Sequence, residues 1–109
     1  MRDILPHIRT ALEDKFATDV TILDIAEISS LGDYFIIATG KNENQIQAMA
    51  QSVAEYMHTQ NMPIKHHEGG YATGWALLDY GSIIIHIFNE ENREFYNLER
   101  IWSDAKEIK

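Results

Sequence analysis

This chain predicts a mixed α/β (α+β) fold, in which a single domain packs helices on a five-stranded sheet. Three observations lead there. Residues 75–88, WALLDYGSIIIHIF, read as two strands around an Asp-Tyr-Gly-Ser turn, and both faces of that pair are largely hydrophobic. Three other segments carry apolar residues at three- and four-residue spacing, the mark of helices with one buried face. Short apolar strands lie between them, so the order is α-β-β-α-β-β-β-α. With 109 residues the chain can build one core and not two.

The first element is a helix over about residues 2–16, where Ile4, Leu5, Ile8, Leu12 and Phe16 share a stripe. Pro6 falls early, where a missing amide costs least. A strand follows over 20–28, then a turn at Ser29, Ser30, Leu31 and Gly32. Residues 33–39, DYFIIAT, have the near-continuous apolar centre of a strand covered on both faces. Asn42 caps the next helix, with Gln45 three residues on as in a capping box. Ile46, Met49, Ala50, Val53 and Met57 carry that helix to about residue 60, where Asn61, Met62 and Pro63 break it. Residues 64–68 form a short strand, and the GGYATG loop of 69–74 leads into the hairpin. Asn89 caps a last helix whose first turn, Glu90 and Glu91, suits the positive end of the helix dipole. Its stripe is Phe95, Leu98, Ile101, Trp102 and Ala105.

In the hairpin, Trp75, Leu77 and Asp79 alternate with Ala76, Leu78 and Tyr80, and Ile83, Ile85 and Ile87 with Ile84, His86 and Phe88. One face belongs to the core. The other needs helices, a second copy of the chain or a partner to cover it. A Trp beside an Asp also suits a recognition surface, since interface hot spots favour large aromatics near polar groups. Burial on both sides accounts for the same pattern without any partner.

The formal charge of −8 disfavours direct nucleic-acid binding, which needs clustered Lys and Arg; the nine basic residues here are scattered. A basic protein partner fits the charge better, although acidity also serves solubility alone. The chain has no cysteine, so disulfides and thiol chemistry are excluded, and a cytoplasmic location is expected. No apolar run approaches the roughly 18 residues of a membrane span, and Arg2 and Asp3 stand where a signal peptide would be apolar.

Chemistry is harder to place. His66 and His67 are adjacent on a strand and point to opposite faces, so no metal site is expected. Asp33, Glu68 and Asp79 fall at strand ends, where three acids could hold magnesium beside a nucleotide. The phosphate cradle for that chemistry is missing: the Ser29–Gly32 turn precedes a strand, and no Lys follows the GGYATG loop.

SSLGDYFIIATG, the pair Glu68-Gly69, GWALLDYGSIIIHIF and REFYNLERIWSDA, in this order and spacing, resemble the ribosomal silencing factor family (RsfS, also called Iojap-like). The likeness makes residues 1–109 one Iojap-like domain. It implies a fold similar to nucleotidyltransferases without their active site, and a non-enzymatic factor with no cofactor. That factor would bind the large ribosomal subunit through ribosomal protein L fourteen and block joining of the small subunit, repressing translation. Carried onto this chain, the partner surface is Trp75, Leu77, Asp79, Tyr80 and Gly81, with Glu68, His86 and Phe88 as further members. Ser82 stands where relatives often carry an acid, so no charge contact is carried to that position. The unpaired sheet face suggests a homodimer when the protein is free. Two alternatives stand beside this reading: a magnesium-dependent nucleotide-binding or nucleotidyltransferase-like enzyme, and a large-subunit assembly factor.

Overall fold

The computed structural model describes residues 2–108. A 3-10 turn, Arg2–Ile4, runs into helix α1, Leu5–Glu13. Strands β1 (Thr18–Asp24) and β2 (Tyr34–Thr39) precede helix α2, Glu43–Thr59. The edge strand β3 (His66–Glu68) and the hairpin strands β4 (Trp75–Asp79) and β5 (Ile83–Phe88) follow. The chain closes with α3 (Glu90–Tyr96), α4 (Leu98–Ile101) and β6 (Lys106–Ile108). The sheet order is β3-β4-β5-β2-β1-β6. Only the central pair, β2 with β5, is parallel, and the other neighbours are antiparallel.

All six residues of β5 are buried. On one face Ile83, Ile85 and Ile87 meet Ile36 and Ala38 of β2, Ala76 and Leu78 of β4, and the stripes of α1 and α2. Leu5, Ile8 and Leu12 supply the first helical stripe, and Ile46, Met49, Val53 and Met57 the second; all seven are essentially inaccessible. α2 starts where the capping residue dictates, with the Asn42 carboxamide oxygen accepting from the Gln45 amide at 2.9 Å. The Gln45 side chain returns to the Lys41 amide at 2.6 Å, one residue before the position a capping box would use.

The opposite face carries Leu23, Phe35, Ile37, Ile84 and Phe88, and it is covered differently. Leu98, Trp102 and Ala105, from the C-terminal segment, lie over its centre. Trp102 meets Phe35 edge-on, with ring centroids 5.1 Å apart. Arg93 holds this segment down. Its guanidinium donates to both Glu99 carboxylate oxygens at 3.0 and 3.2 Å, to the hydroxyls of Thr39 and Thr21 at 2.9 and 3.1 Å, and to the Asp19 carbonyl. One side chain thus ties α3 and α4 to β1, at Asp19 and Thr21, and to β2, at Thr39.

Three expectations need correction. The sheet has six strands, because Ile108 pairs with Ile22 and extends the β1 edge. The last helix does not run on to Ala105. Asn97 adopts a left-handed conformation, φ 45°, and splits it into α3 and α4. Asn tolerates that region better than most residues, because its short side chain bonds locally. Phe95 and Ile101, which an unbroken helix would bury with the stripe, are therefore 77% and 68% exposed. The first helix ends at Glu13, and Phe16, at φ 65°, faces solvent.

Replacing Arg93 by Ala removes these bonds and leaves the buried Thr39 hydroxyl without its donor. Stability in urea should fall by about 2–3 kcal/mol. Amide exchange should accelerate over residues 90–108 well before it does in α2.

Candidate functional site

The strand register gathers most of the sequence-selected residues on one face. His66 pairs with Asp79 and Glu68 with Leu77; Trp75, Leu77 and Asp79 pair with Phe88, His86 and Ile84. Directly paired residues in a sheet share a face. Glu68, Trp75, Leu77, Asp79, His86 and Phe88 therefore lie together at the β3–β4 side of the face that the C-terminal segment covers at its centre. Trp75, Leu77 and Asp79 are half-buried, Glu68 is exposed, and His86 and Phe88 lie deeper, at 8% and 2% exposure.

Tyr80 is the exception. It turns to the helix side, where it is 5% exposed within the α1–α2 core, and burial raises its phenol pKa. Its ring is not on the shared face. Gly81 shapes the turn: the Asp79 carboxylate accepts its amide at 2.7 Å, and its φ is 90°. Asp79 thus has a local structural role as well as an open edge.

A cleft of about 180 Å³ opens between Trp75, His86, Phe88, Tyr96 and Leu98. His86, Phe88 and Tyr96 form a column of nearly parallel rings, with centroids 5.9 and 5.6 Å apart and interplanar angles of 12° and 21°. Neither ring nitrogen of His86 has a hydrogen-bond partner, and both are buried. Desolvation pushes the His86 pKa down to about 4, so the imidazole is neutral at pH 7.

Trp75 is held by its neighbours. Gly69 has φ 89°, and a Cβ there would lie 2.6 Å from the Trp75 carbonyl oxygen and 2.7 Å from its indole ring. The glycine lets the chain pass flat against the Trp. The sequence pointed to Trp75, Leu77 and Asp79 through alternation; it did not single out Arg93 or Tyr96. An arginine among Glu90, Glu91 and Glu94 reads as a solvated helix face, and its targets lie on strands far away in the chain.

Asp33, Glu68 and Asp79 do not converge. Among the described residues, no three of His, Cys, Asp or Glu are placed to share a metal ion. His66 and Glu68 form an exposed pair at 3.0 Å. Among the described residues, no helix is long and apolar enough to cross a membrane.

The fold and site define an α+β domain with a half-covered sheet face, its aromatic edge open beside two acids. A family model described as "Ribosomal silencing factor during starvation" matches residues 1–109. The chain is 36% identical to ribosomal silencing factor RsfS of Bacillus subtilis, over 95% of this chain and 88% of that protein. It is 30% identical to the mouse protein named mitochondrial assembly of ribosomal large subunit protein 1, over 84% of this chain and 42% of that protein. A crystal structure from Chromobacterium violaceum superposes with a TM-score of 0.88 at 30% identity, covering 94% and 86% of the two chains. This chain belongs to the ribosomal silencing factor family, RsfS.

Two changes probe this geometry. Gly69→Ala should cost about 1–3 kcal/mol through backbone strain and displace Trp75, read as a changed tryptophan emission spectrum. His86 titrates near 6.5 when unfolded and near 4 when folded, so between those values the unfolded chain binds the extra proton. Its contribution to stability is therefore intact above pH 6.5 and is lost as pH falls towards 4, by at most about 1.4 kcal/mol per unit. His86→Phe should flatten the pH–stability curve across that window.

Proposed function

We propose that this protein is a non-enzymatic silencing factor. It binds the large ribosomal subunit through ribosomal protein L fourteen and keeps the small subunit from joining, so that translation is repressed. The observation that carries this reading is the open edge of the sheet face, where Trp75 and Leu77 lie half-exposed beside Asp79 and Glu68. An apolar anchor flanked by acids, on a chain of net charge −8, suits a basic protein surface. Blocking by occupancy needs affinity and bulk, and no reacting group. The same edge is where a second copy would sit when the ribosome is absent, which makes a free homodimer part of the proposal. A cytoplasmic location is part of the proposal.

A second reading follows from the relative named for large-subunit assembly. In it, the same face would engage precursor subunits rather than finished ones.

Sucrose-gradient sedimentation of purified subunits with this protein, at magnesium that favours joining, tests the proposal. Silencing by occlusion gives co-migration with the large subunit and loss of the joined particle. Absence from the large-subunit peak would overturn the ribosomal reading. Co-migration with joining intact would favour assembly. Trp75→Ala, still folded, should weaken large-subunit binding by about 2 kcal/mol or more if Trp75 is the anchor.

A further inference from the structure

A second cleft, of about 480 Å³, lies on the helix side of the sheet, at the end opposite β3. Ile22 and Ile108, directly paired on β1 and β6, share a face and make its floor with Leu5 of α1. Leu5 and Ile22 are buried and Ile108 is half-buried, so that floor is apolar. Cations gather around it. The Arg9 guanidinium donates through Nη1 to the Val20 carbonyl at 3.1 Å, which fixes its direction. Among the described residues, no carboxylate lies within ion-pair distance of Arg9. A guanidinium carries five N–H donors, so this one keeps capacity for a ligand. Arg2 stands 3.8 Å from the Asp24 carboxylate, and Lys106 faces Asp24 across the β1–β6 ladder. Asp3 also lines the cleft and already has a partner. Arg2, Arg9 and Lys106 against Asp3 and Asp24 leave this corner positive, on a chain of net charge −8.

We propose that this cleft is a binding site for a small amphiphilic carboxylate, whose apolar chain lies on Leu5, Ile22 and Ile108 while Arg9 holds its head. An apolar lining with a few placed polar groups, at this volume, is what small-molecule sites share. A guanidinium offers a planar fork that matches the two oxygens of a carboxylate. It is also weakly hydrated, so it can hold such a head beside apolar surface. The local positive field admits an anion where the rest of the surface repels one. A peptide strand fits less well, because β6 presents only three residues along its free edge, too few ladder bonds to secure one. Nucleic acid fits worse, since its backbone needs clustered cations and this floor is apolar. The cleft lies far from Trp75 and on the other face, so the inference does not rest on the ribosomal reading.

The test uses the full-length protein at pH 7, with octanoate, octanol and octylammonium as probes and acetate as a head without a chain. The methyl signals of Leu5, Ile22 and Ile108 are followed by NMR. Octanoate should shift them saturably and bind about fivefold or more tightly than octanol, the ratio expected for one net hydrogen bond. Octylammonium should bind weakest, although a net charge of −8 would favour it over an anion anywhere else on the surface. Acetate should leave these methyls unmoved. Arg9→Met keeps an apolar stem without the charge and should erase the preference for octanoate over octanol. Because Arg9 also holds the Val20 carbonyl, Arg2→Met, at an exposed position, serves as the second variant. It should weaken octanoate and leave octanol unchanged. Octanol binding as tightly as octanoate, octylammonium binding more tightly, or a preference that survives both substitutions would overturn the proposal. So would methyl signals that no probe moves. The comparison of the four probes on the unaltered protein decides the matter even where a variant fails to fold.

Discussion

The structure depends on one constraint: β5 is apolar on both faces and sits in the middle of the sheet, so two layers must cover it. Ile83, Ile85 and Ile87 take the larger layer, α1 and α2. Ile84, His86 and Phe88 are left for whatever the rest of the chain can provide. Only the residues after Phe88 remain, and they make two short helices and a three-residue strand. Cover on that side is necessarily partial. It reaches Phe35 and Ile37 through Trp102 and Leu98 and stops short of the β3–β4 edge.

Such a thin layer needs fastening, and Arg93 provides it. A short amphipathic segment buries too little surface to hold itself against a sheet by the hydrophobic effect alone. Five hydrogen bonds from a guanidinium with 12% exposure give it a fixed position. Edge strands guard the rest. β3 is three residues long with every residue exposed and carries His66, His67 and Glu68, a composition that discourages unwanted pairing. The open face is thus a defined patch with apolar and acidic parts rather than a broad greasy surface.

The strand-end acids and the aromatic cleft sit in different surroundings. The acids that the chain places at strand ends do not converge, and the candidate cleft is walled by rings rather than by carboxylates and cations. The open edge offers shape, aromatic surface and charge, features that suit recognition.

The sequence by itself determined the helical stripes of α1 and α2, the α2 cap at Asn42, the hairpin and the division of its residues between two faces. Each of these is a local period or a local hydrogen bond, which a linear pattern records directly. The alternation also placed Trp75, Leu77 and Asp79 together. Tertiary structure decided the rest. The apolar stripe of Phe95, Leu98, Ile101, Trp102 and Ala105 fits a straight helix, yet Asn97 breaks it, because only a bent segment can lay Leu98 and Trp102 on the sheet while Arg93 reaches Thr21 and Thr39. The sixth strand exists only because that bend returns Ile108 to the side of Ile22. Alternation already put Tyr80 opposite Trp75, Leu77 and Asp79; the tertiary structure added its burial in the helix-side core. The aromatic cleft arises from residues on β4, β5, α3 and α4, and its formation required all four elements to be in place.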